Sequence, residues 1–177
     1  GYNPVYRTPV ATYALMAACV VFFIAQMSIG LDALALIPDN LLGRPYTLFT
    51  SMFMHGNIVH LLLNLYFLKM CGDNVEDRLG SAWFLLLFFA SGVVGSIAHS
   101  FLTTWVDLPT VGASGGISGI LAAYVWFFPD VRVSLLPIWW FLVRGDYWIN
   151  LRALFFIPIW FLLQCAMLLM GVKHVAI

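Results

Sequence analysis

Along the chain, apolar residues gather into long blocks, separated by short clusters rich in Pro, Gly, Asp, Asn and Arg. A membrane span needs about 20 apolar residues, roughly 30 Å at ~1.5 Å per residue. The first block, about 9–29, meets that requirement and is broken by Thr12 and Gln26. It is too long and too weakly flanked for a signal-peptide core, and no small-x-small cleavage site follows it. The next stretch, 30–51, mixes Pro38, Asp39, Asn40, Gly43, Arg44 and Pro45 with scattered leucines, which predicts a segment lying at the membrane interface. A second span, about 55–71, carries His60 and Asn64, and the polar run from Gly72 to Gly80 predicts a loop. The third span is about 81–104. The fourth, 114–128, must stop before Pro129 and Asp130. Residues 130–152 hold Arg132, Pro137, Arg144, Gly145, Asp146 and Arg152 among aromatics and predict a long interfacial connection, and a fifth span follows at about 153–170. The pattern therefore predicts an all-α polytopic membrane protein, one bundle over 1–177.

Composition agrees. The 177 residues are 63% hydrophobic and 9% charged, whereas soluble domains run near 45–50% apolar and about 25% charged. So apolar a chain cannot stay dissolved as a disordered one. Eight Lys and Arg balance eight Asp and Glu; cations so few and scattered exclude a nucleic-acid surface. Cys19, Cys71 and Cys165 lie in apolar runs without a CxxC, which indicates neither a zinc site nor a disulfide framework. With the N-terminus in the cytoplasm, Arg7, Lys69, Arg78, Arg132, Arg144 and Arg152 fall inside, and only Arg44 and Lys173 outside. Six against two favours that orientation. Five spans then leave the C-terminus outside.

Certain polar residues call for an explanation. His60 and Asn64 sit four apart, on one face of the second span, and intramembrane polar groups face a bundle interior or a water-filled cavity. Hydrogen-bond glue between helices would account for the pair equally well. His55, five residues before His60, falls off that face near the helix start, where capping or packing suits it. In the segment Val111 to Gly119, Gly112–Gly116 and Gly115–Gly119 form two overlapping GxxxG spacings, which allow close helix approach. Packing explains the glycines, but not a serine at the helix start. From Ser114 to Phe128 is about 22 Å of helix, short of the bilayer core, so Ser114 is expected at the floor of a cavity open to the outer side. There the helix dipole and free N–H groups would favour a developing oxyanion, and the hydroxyl is a potential nucleophile. His60 and Asn64 from a facing helix could complete an oxyanion hole. The serine would still need a base, most often a histidine.

With these residues in view, the chain resembles the rhomboid family of intramembrane serine proteases. The box Gly112-Ala-Ser-Gly115 is similar to the family's GxSG nucleophile motif, and the stretch from His55 through His60 to Asn64 to its second-helix motif of two His and an Asn. Residues 50–55, the run 72–80 and the stretch from Phe128 to Arg132 resemble bacterial members. The resemblance implies a six-helix bundle in a bacterial inner membrane, cleaving transmembrane helices of protein substrates with a Ser–His dyad and neither metal nor cofactor. It implies Ser114 as nucleophile, with His60, Asn64 and the Ser114 backbone N–H supporting the oxyanion. His55 and Gly112 would support the site. The chain departs from the family at Arg44-Pro-Tyr-Thr47, where a Trp-Arg pair is frequent, and at Ser118, where some members carry an aromatic. The family's base is a His on a sixth helix, and the reading places it just past Ile177, with His174 as the in-chain alternative. The glycine face of the fourth helix points the same way, since none of the five spans offers it a matching small-residue face near its C-terminal end. A non-catalytic relative that binds transmembrane helices is the alternative function. A channel or carrier, with His99 as a relay, finds no support in internal repeats.

Overall fold

The computed structural model describes residues 5–103, 107–135, 149–155, 157–158 and 161–162. Helix α1, Val10–Ile29, and helix α4, Ser81–Leu102, are long and apolar enough to cross a membrane. Between them come the short helix α2, Thr47–Thr50, and the long helix α3, Ile58–Leu79. Helix α2 continues into a 3-10 turn at Ser51–Phe53, and that pair meets α3 at 95°. Helix α5, Ser114–Phe127, is shorter and packs against α3 and α4, with Ile117, Ile120, Leu121 and Tyr124 buried. Phe84 and Phe88 of α4, Leu61, Leu68 and Val75 of α3, and Leu15 and Cys19 of α1 complete the apolar core around it.

The polar run 72–80, read from sequence as a loop, is helix up to Leu79. Charge marks where α3 leaves the membrane, not where it ends. Lys69 and Asp73 pair at 2.9 Å across one turn, Cys71 and Val75 are fully buried, and Gly80, at φ 78°, supplies the terminating turn. The interfacial connection 130–152 contains an addition the pattern did not foresee. Strand β1, Arg132–Leu135, pairs antiparallel with β2, Ile149–Arg152, in the register Arg132 to Arg152 and Leu135 to Ile149. Most of the predicted fifth span, and His174, lie outside the described residues.

The glycine face of α5 has its partner within the chain. A Cβ added to Gly115 would lie 3.3 Å from the Gly92 Cα, and one on Gly116 would lie 2.7 Å from the Phe88 ring. One on Gly119 would collide with Ser91. The Ser91 hydroxyl lies 3.3 Å from the Gly116 carbonyl oxygen and donates to Leu87 at 2.6 Å. The matching small-residue face is therefore Ser91, Gly92 and Gly95 on α4. This Ser-Gly-x-x-Gly stretch lies midway along α4, not near the C-terminal end of a span where a matching face was sought.

Helix α1 is tied to both ends of α3 through Thr12 and Gln26, two of the polar residues in its apolar run. At one end Glu76 of α3, 3% exposed, accepts hydrogen bonds from the Ala11 N–H at 2.9 Å, the Thr12 N–H at 2.7 Å and the Thr12 hydroxyl at 2.8 Å. The Ser81 hydroxyl, at the start of α4, donates to the same carboxylate at 2.6 Å. At the other end the Gln26 side chain donates to the His55 carbonyl at 3.2 Å and accepts from the His55 N–H at 3.3 Å.

Candidate active site

The second of those ends carries the candidate site. Asn57 caps α3: its side chain accepts the His60 N–H at 2.8 Å, which satisfies one of the orphan donors of the first turn. The cap fixes His60 and Asn64 one turn apart on the inward face, both buried. The Asn64 side-chain amide donates to the His60 carbonyl at 3.0 Å, which sets its orientation. His55 precedes the helix, so the helical spacing that placed it off this face does not apply. Its ring packs edge-on against His60, centroids 5.1 Å apart, and its Nδ1 lies 3.1 Å from the Phe53 carbonyl oxygen. Of its sequence-based roles it takes packing, while Asn57 does the capping.

The facing wall is the entry to α5. Gly112 has φ 123°, a conformation open to glycine, and a Cβ there would lie 2.7 Å from both Cε1 and Nε2 of His60 and 3.9 Å from the Asn64 amide nitrogen. The glycine of the box thus meets the two α3 side chains by close backbone approach. Two contacts from the 30–54 segment hold this approach in place. The Gly112 N–H donates to the Ser51 carbonyl at 2.9 Å, and Leu36 and Thr110 exchange backbone bonds of 3.1 and 2.7 Å. Ser114 then opens α5, half-buried, and the helix N-terminus has no side-chain cap. Its first-turn N–H groups are free of side-chain competitors and carry the positive end of the helix dipole.

One feature of the electrostatics stands out among the described residues. Neither ring nitrogen of His60 has a hydrogen-bond partner, although both are buried, and the same holds for His55 Nε2. Buried polar atoms in folded proteins are almost always paired, and each that is not costs about 1–3 kcal/mol. His99 lies on α4, a different element from those that carry this cluster. Among the described residues, no three His, Cys, Asp or Glu side chains converge in a way that could hold a metal ion.

Sequence reasoning missed Gln26, Ser51 and Asn57. The first was visible as a lone amide in an apolar span, a residue that hydrogen-bonds between helices. Asn57 was visible as an Asx residue just before an apolar helical run. Ser51 contributes only its backbone carbonyl, for which no side-chain signal exists.

The chain matches the Rhomboid domain over residues 42–177. It is 34% identical over 84 residues to the putative rhomboid protease YdcA of Bacillus subtilis, covering 48% of this chain and 42% of that protein. It is 33% identical over 127 residues to the rhomboid protease GluP of the same organism, covering 67% of this chain and 24% of the relative. A third relative, the mitochondrial presenilin-associated rhomboid-like protein A of Danio rerio, is 33% identical over 92 residues, covering 50% and 24%. The chain thus spans well under half the length of these curated relatives.

Proposed function

The chain belongs to the rhomboid family, and on that footing we propose that it is an integral-membrane serine protease whose nucleophile is Ser114. The carrying observation is the buried His60 imidazole, without a hydrogen-bond partner at either nitrogen among the described residues and pressed against Gly112, two residues before that serine. A buried imidazole whose nitrogens have no partner carries a desolvation cost that its ring packing does not require, which supports a use with a group that arrives. In this reading the Ser114 hydroxyl attacks a peptide carbonyl of a transmembrane substrate. The carbonyl oxygen becomes an oxyanion, held by the Ser114 N–H at the uncapped start of α5 and by His60 and Asn64 from the facing wall. Their orientation is prepaid by the Asn57 cap and the bond from Asn64 to the His60 carbonyl, so little reorganisation remains at the moment of reaction. His55 and Gly112 support this wall. A histidine outside the described residues takes the serine proton, and His174 is this chain's candidate. The substrates are transmembrane helices, reached from the bilayer. The N-terminus lies in the cytoplasm of a bacterial cell and the site opens to the outer side of the inner membrane. This assignment draws support from Arg7, Lys69 and Arg78, which all sit towards the end of the bundle away from His60.

The test is labelling by a fluorophosphonate probe in native membranes, read beside cleavage of a single-span reporter. Labelling should vanish in Ser114→Ala while the variant retains its melting temperature. Labelling that persists in Ser114→Ala, or a wild-type protein that takes no label, overturns the reading.

A further inference from the structure

At the end of the bundle opposite the candidate site, a polar cleft of about 390 Å³ opens beside the start of α1, with Arg7, Thr8, Pro9, Tyr13, Lys69 and Asp73 in its lining. Lys69 explains why the cleft lies at a membrane boundary. It sits seven residues before Glu76, about 10 Å deeper along α3 than the start of α1. Its ammonium is nevertheless drawn towards that boundary, 3.0 Å from the Tyr13 hydroxyl and 2.9 Å from Asp73, with its charge 4.8 Å over the Tyr13 ring. A lysine that stretches along the helix in this way brings its charge to the level of lipid headgroups. The Arg7 backbone is fixed by its N–H donating to Asp77 at 2.8 Å, while its guanidinium makes no hydrogen bond or ion pair among the described residues. Lys69 uses two of its three N–H donors, and Tyr13, having accepted from Lys69, keeps its own hydrogen to give. The cleft therefore gathers two cations and three hydroxyls, those of Tyr6, Thr8 and Tyr13, against the one carboxylate in its lining, Asp73.

We propose that this cleft seats the phosphodiester headgroup of a membrane phospholipid, with Arg7 and Lys69 on the phosphate oxygens and the acyl chains running down the exposed faces of α1 and α3. Val20, Val21 and Leu62 are exposed apolar residues on those helices. The preference is for a lipid over free phosphate because the ammonium approaches from the apolar side, where only a molecule with a hydrocarbon tail has its phosphate at hand. The experiment is native mass spectrometry of the whole protein exchanged into detergent with added phosphatidylglycerol. Each interfacial cation is worth roughly fivefold in affinity. The wild type should retain one phosphatidylglycerol, Arg7→Gln should hold it about fivefold more weakly, and the Arg7→Gln/Lys69→Gln pair about thirtyfold. Arg44→Gln should bind as wild type, and Lys69→Arg should restore most of the affinity. Diacylglycerol, which lacks the phosphate, should leave no adduct. Equal retention by wild type and Arg7→Gln overturns the proposal, as does equal retention of diacylglycerol. Displacement of the lipid by inorganic phosphate alone overturns it too. Arg7→Gln keeps the test decisive even if the Lys69 variants do not fold, because its side chain is exposed.

Discussion

The two ends of α3 each bury a polar centre against α1, and they are built on opposite plans. At the Glu76 end four donors converge on one carboxylate: two N–H groups of the α1 first turn and the Thr12 and Ser81 hydroxyls. The carboxylate stands where an N-cap would stand and neutralises the positive end of the α1 dipole from another helix. At the His60 end the backbone is equally well fixed, by Gln26 and Asn57, but the imidazole nitrogens have no partner among the described residues. Buried and saturated, a polar group serves the fold; buried and unsaturated, it lowers stability and is free to meet something else. The same chain keeps one centre of each kind about 24 Å apart on a single helix, the sixteen residues from His60 to Glu76.

The sharpest way to break this contrast is to delete the open centre. His60→Ala should lower the turnover of a transmembrane reporter by about 10²–10³, the usual loss for one oxyanion donor. The melting temperature should fall only by the packing lost with the ring, because no hydrogen bond of the ring among the described residues is lost. A variant that instead unfolds in proportion to its lost activity would make His60 a structural residue and remove the contrast.

The matching deletion at the saturated end is expected to do the reverse. Glu76→Ala orphans two helix N–H groups and two hydroxyls at once, and should cost about 3 kcal/mol in unfolding experiments in detergent micelles. The folded fraction should keep its specific activity, since the centre lies at the far end of α3. Loss of turnover without loss of stability would show that the two ends communicate.

Much of this layout was legible in the sequence, and the gaps have physical causes. The spans are legible because the bilayer demands a long apolar run and tolerates few exceptions, so α1 and α4 follow from hydropathy alone. The box around Ser114 is legible because a serine between glycines has no packing rationale. What escaped notice depends on partners from elsewhere in the chain. Gly72 to Gly80 look like a loop until Glu76 is seen to receive the α1 N-terminus. The α5 glycines look unpartnered until Ser91 and Gly92 are placed opposite them. Thr12 and Gln26 look like blemishes in an apolar run, yet each fastens one end of α3. Helical spacing does not locate His55, because the helix begins at Ile58, after it.

The smallest expected effect tests whether the open centre is prepared by its neighbours or merely adjacent to them. Asn57 touches no candidate catalytic atom, but its side chain accepts the N–H of His60 itself. If the cap only stabilises α3, Asn57→Ala should cost about 1 kcal/mol of stability and leave turnover of the folded protein intact. If it also holds the His60 backbone in register with Gly112, turnover should fall a few-fold beyond that loss, while KM stays constant. Substitution by Asp or Ser, which cap as well as Asn, should then recover both quantities together. The second outcome is the expected one. The Gly112 approach leaves so little room beside the imidazole that a frayed first turn would shift the ring and the loop against each other. A full recovery of stability without recovery of turnover would separate the cap from the site, and with it the claim that this end of α3 is preorganised.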